Sequence, residues 1–219
     1  MIKSLAKYIL NKFNYELKKL DRNHDTIINE ILKKTKPVVF DIGANLGQTI
    51  DRFESLFSKP KIFSFEPTPA LFKSLNEKYK EKKNIHLFDY AITNKEKIVS
   101  FNIHETSSGS SSIENVVIKS IFAKRRSLEN NITKTNVQGI SLDRFCQYNK
   151  INQIDLLKID TEGHELEVLM GAKKTINKNK VEYLLIEIHS SKMYKNYSKY
   201  KIEEFLKKNN FILLKSFKF

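Results

Sequence analysis

Val38-Val39-Phe40-Asp41-Ile42 runs directly into Gly43-Ala44-Asn45-Leu46-Gly47, and the reading of this junction decides the fold. An apolar run this short, rich in β-branched and aromatic residues and closed by glycine, is a strand buried on both faces; the residues after Gly47 then start the helix that crosses over to the next strand. Glycine in such a turn lets the backbone bend sharply and lets a ligand approach where a Cβ would clash. The spacing is G-x-x-x-G preceded by an acid. It is not the G-x-G-x-x-G dinucleotide fingerprint, and it is not a P-loop, because no G-K-[ST] follows. A diphosphate is therefore a poor fit. An acid just before the turn suits a ligand that carries an ammonium group, such as the methionine part of S-adenosylmethionine, and Asp41, Gly43, Ala44, Asn45 and Gly47 are the first candidate cofactor contacts.

The same alternation continues outward. A second strand over 61–66 is stopped by Pro67 and Pro69 and followed by a helix over 69–80; a third strand is expected over 85–92, and 98–103 offers another. Residues 106–112 are a Ser-rich polar loop, and 113–135 are basic and poorly periodic, with no assignment. Order resumes at 136–140, with a short helix opened by Ser141. Then come a strand over 154–159, a helix over 165–176, a strand over 181–188, a helix over 200–208 and a last strand over 211–217. Strands alternating with helices predict a doubly wound α/β domain over 37–219, a mostly parallel sheet with helices on both faces. In residues 2–20 the apolar positions recur at spacings of three and four, so 1–36 read as an N-terminal extension built on an amphipathic helix. That helix is expected to dock on the domain edge; its Lys-rich face also suits a membrane surface.

Composition narrows the function classes. The chain has 219 residues, 40% hydrophobic and 29% charged, which is one globular domain of ordinary make-up. Lys+Arg number 39 against 25 Asp+Glu, a net +14, and the surplus sits at the ends: 9 basic and 4 acidic groups in 1–36, 18 and 17 in 37–170, 12 and 4 in 171–219. Basic ends are either a solvated surface or a means of attracting an anionic partner, such as a phosphorylated acceptor, nucleic acid or anionic lipid. Cys146 is alone, which excludes a disulfide framework or a multi-cysteine metal site and reads as a buried thiol in a reducing compartment. No run approaches the ~20 apolar residues of a membrane span, so a cytoplasmic protein, neither secreted nor transmembrane, is expected.

Acids recur at the ends of successive strands. Glu66, in Phe63-Ser64-Phe65-Glu66-Pro67, is placed to accept hydrogen bonds from both hydroxyls of an unphosphorylated ribose. Asp89, in Leu87-Phe88-Asp89-Tyr90-Ala91, is placed to accept from an adenine amino group, with Ala91 beside it as a further cofactor contact. Asp160 and Glu162 fall where a strand runs into a helix at the expected switch point of the sheet. In Ile186-Glu187-Ile188-His189, period-two alternation puts Glu187 and His189 on one side of a strand end. Carboxylates and an imidazole at one rim can deprotonate an acceptor hydroxyl, or hold a divalent metal such as Mg²⁺ that does so. Asp160, Glu162, Glu187 and His189 are thus the catalytic candidates, and Asp160, Glu187 and His189 the metal candidates. His24, His86 and His104 lack such context.

The phrases FDIGANLGQT (40–49), FSFEPTP (63–69), ISLDRF (140–145), DLLKIDTEGHELEVLMGA (155–172) and LLIEIH (184–189) stand in the order and context of the FkbM-type S-adenosylmethionine-dependent methyltransferases. The chain resembles that family over roughly residues 36–190. The resemblance implies a Rossmann-like methyltransferase fold and O-methylation of sugars or natural products. By it, Asp41, Gly43, Asn45 and Gly47 match the cofactor turn, Glu66 the ribose ligand, and Asp160, Glu162 and Gly163 the motif facing the reacting methyl. It also implies a closing β-hairpin, for which only one strand pattern remains after Lys208. The expected function is O-methylation of a sugar, glycan or similar small polar acceptor with S-adenosylmethionine as donor. The alternatives are an RNA methyltransferase, favoured by the charge but with no appended RNA-binding module and few aromatics between the terminal lysines, and a noncatalytic cofactor-binding member of an assembly. Self-association is left open.

Overall fold

The computed structural model describes residues 24–104, 107–128, 132–178, 180–190 and 192–216. The chain divides between Ile31 and Leu32 into two units, and α1 (His24–Leu32) is the described helix at that division. The helix expected over 2–20 lies outside the described residues.

In the larger unit, β1 (Val38–Ile42), β2 (Lys61–Phe65), β3 (Ile85–Phe88), β7 (Ile154–Ile159) and β8 (Val181–Ile186) form one sheet in the order β3-β2-β1-β7-β8. Every pairing in it is parallel. Helices α2 (Gln48–Leu56) and α3 (Pro69–Tyr79) join the first three strands, and α8 (Lys199–Lys208) follows the last. The fold class expected from the sequence is the one observed. Strand order reverses between β1 and β7, so their C-terminal ends diverge into a crevice.

A parallel sheet covered by helices needs apolar side chains on both faces. β1 shows this: Val39, Phe40, Asp41 and Ile42 are all buried, and β7 is buried along its whole length. One face is aromatic. Phe40 stacks on Phe63 at 4.8 Å, and Phe145 sets its edge against Phe65 and Phe88 at 4.8 and 4.7 Å. Phe145 comes from α5 (Leu142–Tyr148), whose N-terminus is capped by Ser141, its hydroxyl accepting from the Arg144 N–H.

Three expectations are corrected. The apolar run over 85–92 is two strands: β3 ends at Phe88, and β4 (Ala91–Thr93) belongs to a second sheet of order β4-β6-β5, with β5 (Lys97–His104) antiparallel to β6 (Ile132–Ser141). Periodicity cannot tell one long strand from two serving different sheets. The helix over 165–176 is likewise two, α6 (Glu165–Gly171) and α7 (Lys173–Asn177). Here the Asp143 carboxylate accepts from the N–H groups of Lys174 and Thr175, giving the second segment its own N-terminal partner. Residues 211–216 form no strand. Their composition suits one, but a strand exists only with a partner ladder, and Ile212, Leu213 and Leu214 stand exposed. The unassigned stretch 113–135 contains a short helix, α4 (Ile121–Arg125), and the start of β6.

Candidate active site

The crevice at the switch point is a half-open pocket lined by the ends of β1, β2 and β7 and by the second sheet. Two turns frame it. The first follows β1: the N–H groups of Gly43 and Ala44 both donate to the Phe65 carbonyl, binding this turn to the end of β2. Gly43 has φ +88°, and a Cβ there would fall 1.9 Å from the Asp160 carbonyl oxygen, so only glycine lets the turns after β1 and β7 pack together. Asn45 follows at φ +49°.

Glu66 lies at the pocket wall with its carboxylate almost wholly buried. It accepts from the Asn45 N–H at 2.8 Å and the Thr68 N–H at 2.9 Å, tying the glycine turn to the loop after β2. Burial raises its pKa, opposed by those bonds. Each oxygen keeps a second lone pair for a ligand hydroxyl. The Oδ1 atom of Asn45, a lining residue, is buried without a hydrogen-bond partner among the described residues, as expected of a group that completes its bonding with a ligand. Ile42, Phe65, Tyr90, Ala91, Phe101 and Ile113 supply an apolar wall that suits a flat heterocyclic base.

The second turn follows β7, where Asp160, Thr161 and Glu162 line the pocket. Glu162 has φ +52°, a strained backbone for a residue with a Cβ, and Gly163 follows at φ +101°, which glycine adopts freely; the Glu162 side chain lies at the cavity. The turn is held from below by Glu165, whose Oε1 accepts from the Thr161 N–H, the Thr161 hydroxyl and the Gly163 N–H. Burial pushes Glu165 up to about 7. The Tyr194 phenol donates to Glu162 Oε2, and Arg126 stands 3.7 Å from Oε1 while donating to the Ser110 hydroxyl. Burial, with repulsion from Asp160 against the Tyr194 bond, raises Glu162 to about 8.

Not every expected contact reaches the cavity. Asp41 is fully buried beneath the turn, accepting from the Ser64 hydroxyl and 3.1 Å from Lys158 Nζ, so it braces the turn and does not line the pocket. Lys158 is itself buried; burial lowers its proton affinity, but Asp41 and Asp160 more than offset this. Ala44 is buried, and Gly47 packs on Tyr79; neither is a lining residue. Asp89 is exposed and away from the wall, whereas Gly43, Asn45, Glu66 and Ala91 are on it. Glu187 and His189 lie beside Asp160 and do not line the cavity. Burial lowers the His189 pKa, and burial with the Asp160 charge raises that of Glu187.

The structure also brings in residues that were not picked out. His164 lines the pocket, its Nδ1 2.7 Å from Glu114 and its Nε2 3.0 Å from the Thr93 hydroxyl, and so joins the β7 turn to the second sheet. The Ser112 hydroxyl donates to the Thr161 carbonyl, and Ser108, Gly109 and Ser111 close one side of the cavity. His164 and Glu165 sit inside the quoted 155–172 stretch. Arg126 and Glu114 come from the stretch without periodicity, where no signal exists.

With this geometry in place, comparison with known proteins is direct. The Methyltransferase FkbM domain model matches residues 41–213. The 2-O-methyltransferase NoeI of Sinorhizobium fredii is 28% identical over 169 residues, covering 73% of this chain and 67% of that protein. The hexuronic acid methyltransferase AglP of Haloferax volcanii is 26% identical over 172 residues, covering 77% of this chain and 64% of that protein. The solved structure of the methyltransferase FkbM from Methylobacillus flagellatus KT aligns at TM-score 0.45 and 15% identity, over 67% of this chain and 32% of that one.

Proposed function

The chain belongs to the FkbM methyltransferase family, and on that premise we propose that it transfers a methyl group from S-adenosylmethionine to a hydroxyl of a sugar or sugar-derived acceptor. The observation that carries this reading is the convergence of two turns on one pocket: the glycine turn with Glu66 on one side, and Asp160 with Glu162 on the other. Two similar proteins are named for 2-O-methylation and for hexuronic acid methylation, which favours a carbohydrate hydroxyl as acceptor.

The donor, when bound, supplies a methyl on a sulfonium, so the acceptor oxygen forms its bond to carbon as the carbon–sulfur bond breaks and its electron pair passes to sulfur. The protein then has two tasks, alignment and removal of one proton. Glu66 accepts the ribose hydroxyls, and the apolar wall receives the base. Glu162 takes the acceptor's proton: it lines the pocket, and a proton affinity raised to about 8 suits a general base working near neutral pH. Tyr194 and Arg126 hold its carboxylate in place. Arg126, with its side chain 46% exposed, can meet a carboxylate or phosphate on an anionic sugar. The lone, buried Cys146 fits a reducing, cytoplasmic setting.

The test is incubation with methyl-labelled S-adenosylmethionine and a panel of hexoses, hexuronic acids and their nucleotide-linked forms, with products located by NMR. Label on a sugar oxygen, lost in Glu162→Gln while S-adenosylhomocysteine still binds, supports the reading. Label on RNA and on no sugar overturns it.

A further inference from the structure

Asp160 follows β7, and Glu187 and His189 follow β8, adjacent strands in register at Ile159 and Ile186. Their potential ligand atoms all lie within 4.8 Å of one another. We propose that these three side chains form a binding site for a divalent first-row cation of the Mn²⁺ class, placed to receive an oxygen of the acceptor; the role of the ion, though not its binding, rests on the methyl-transfer reading above.

The imidazole distinguishes this cluster from a chance gathering of acids. The His189 side chain is 4% exposed, wedged edge-on between Tyr194 and Tyr197, and the Tyr197 hydroxyl accepts its backbone N–H. Nε2 is buried without a hydrogen-bond partner among the described residues and faces the buried Glu165 Oε1 at 3.7 Å. With its hydrogen on Nε2, the ring leaves the Nδ1 lone pair toward Glu187 Oε1, 3.9 Å away. Glu165 Oε1 already accepts three hydrogen bonds and stands beyond hydrogen-bond reach of Nε2, so the ring is fixed by the two tyrosines and this buried nitrogen is left without a partner.

Charge points the same way. Asp41, Asp160, Glu162 and Glu187 are four acids against two cations, Lys158, 3.1 Å from Asp41 and 3.4 Å from Asp160, and Arg126, 3.7 Å from Glu162. A cation with bonds of about 2.1 Å holds its ligands roughly 3 to 4 Å apart, so the widest separation in the cluster must close by about 1–2 Å. Glu187, exposed at the rim, can swing that far. One imidazole with two carboxylates suits Mn²⁺ better than Mg²⁺, which prefers all-oxygen sets, and three protein donors leave positions open for acceptor oxygens. Asp160 also lines the methyl-transfer pocket, so neighbouring oxygens of a sugar could bind the ion while the reacting hydroxyl loses its proton more readily.

The probe is Mn²⁺ alone, added to the full chain without donor or acceptor. Loss of the free-ion EPR signal reports binding, and nitrogen coupling in pulsed EPR reports the imidazole. S-adenosylhomocysteine binding is measured in parallel as an independent check on the cofactor site. The expected result is one Mn²⁺ per chain with nitrogen coupling. Affinity should fall roughly 10- to 100-fold in His189→Ala and in Glu187→Gln and stay unchanged in the surface variant Glu203→Gln. Glu187 is exposed, so E187Q remains informative should the loss of the His189 ring disturb folding. Wild-type protein that binds S-adenosylhomocysteine but leaves the Mn²⁺ signal undiminished, or binding without nitrogen coupling, overturns the metal site and leaves the methyl-transfer reading standing. Mn²⁺ binding with nitrogen coupling in a protein that ignores S-adenosylhomocysteine supports the site and overturns the reading.

Discussion

Replacing Glu66 by alanine removes one acceptor from two backbone donors at once. The Asn45 N–H at 2.8 Å and the Thr68 N–H at 2.9 Å both end on this carboxylate, in a residue only 5% exposed. A buried donor left unpaired costs about 1–3 kcal/mol. The cavity left by the side chain admits some water, and removing a carboxylate whose burial disfavours its charge returns part of the loss, so the lower end of the summed range of about 2–6 kcal/mol applies, about 2–3 kcal/mol. In a domain of this size each kcal/mol moves Tm by about 2–4 °C, which predicts a melting point lower by about 4–12 °C. Glu66→Gln keeps the shape and one acceptor but turns an amide N–H₂ toward a backbone donor, so it should fall between the two. Thermal unfolding followed by circular dichroism measures this, and titration with S-adenosylhomocysteine measures the accompanying loss of cofactor affinity. A Glu66→Ala protein melting within about 1 °C of wild type, with unchanged affinity, would refute the reasoning.

Three further outcomes follow from the packing. Burial pushes the Cys146 thiol up to about 11. At pH 8 roughly one molecule in 1000 then carries a thiolate, against roughly one in four for a free cysteine, so iodoacetamide should label native protein about 250-fold more slowly than unfolded protein; equal rates would contradict the burial. Phe145→Ala empties the contact with Phe65 and Phe88 and should cost about 3–5 kcal/mol in urea unfolding, and a loss under about 1 kcal/mol would mean the aromatic face is not the core. Gly163→Ala puts a Cβ 2.6 Å from the Tyr194 ring at φ +101°, so turnover should drop at least about tenfold, or 1.4 kcal/mol, with S-adenosylhomocysteine affinity nearly unchanged; an undiminished kcat would detach Tyr194 and Glu162 from the reaction.

The parallel sheet was legible in the sequence because each of its strands is a short apolar run closed by glycine, proline or an acid, and burial on both faces leaves little room for other residues. The cofactor turn was legible for a related reason: Gly43 answers to a backbone carbonyl 1.9 Å from where its Cβ would be, a demand that only one residue type meets. Asp41 shows where such reading stops. An acid before a glycine turn looks like a ligand contact, but which way its side chain points depends on Lys158, 117 positions on, whose ammonium lies 3.1 Å from it. Arg126 and Glu114 reach the site from a stretch with no period at all, placed by pairing between Asn102 and Ser112 and by hydrogen bonds to Ser110 and His164. The strand expected over 211–217 is absent from the described residues 211–216 for the complementary reason: the composition is strand-like, but pairing requires a neighbour that local sequence does not reveal.

Isothermal titration of the full chain with S-adenosylhomocysteine bears most directly on the claim that the pocket between the β1 and β7 turns is a methyl-donor site. The account predicts one ligand per chain, with binding weakened in Glu66→Ala and lost in Gly43→Val, where the new side chain would meet the Asp160 carbonyl. Absence of binding by the wild-type chain, or wild-type affinity in both variants, would contradict it.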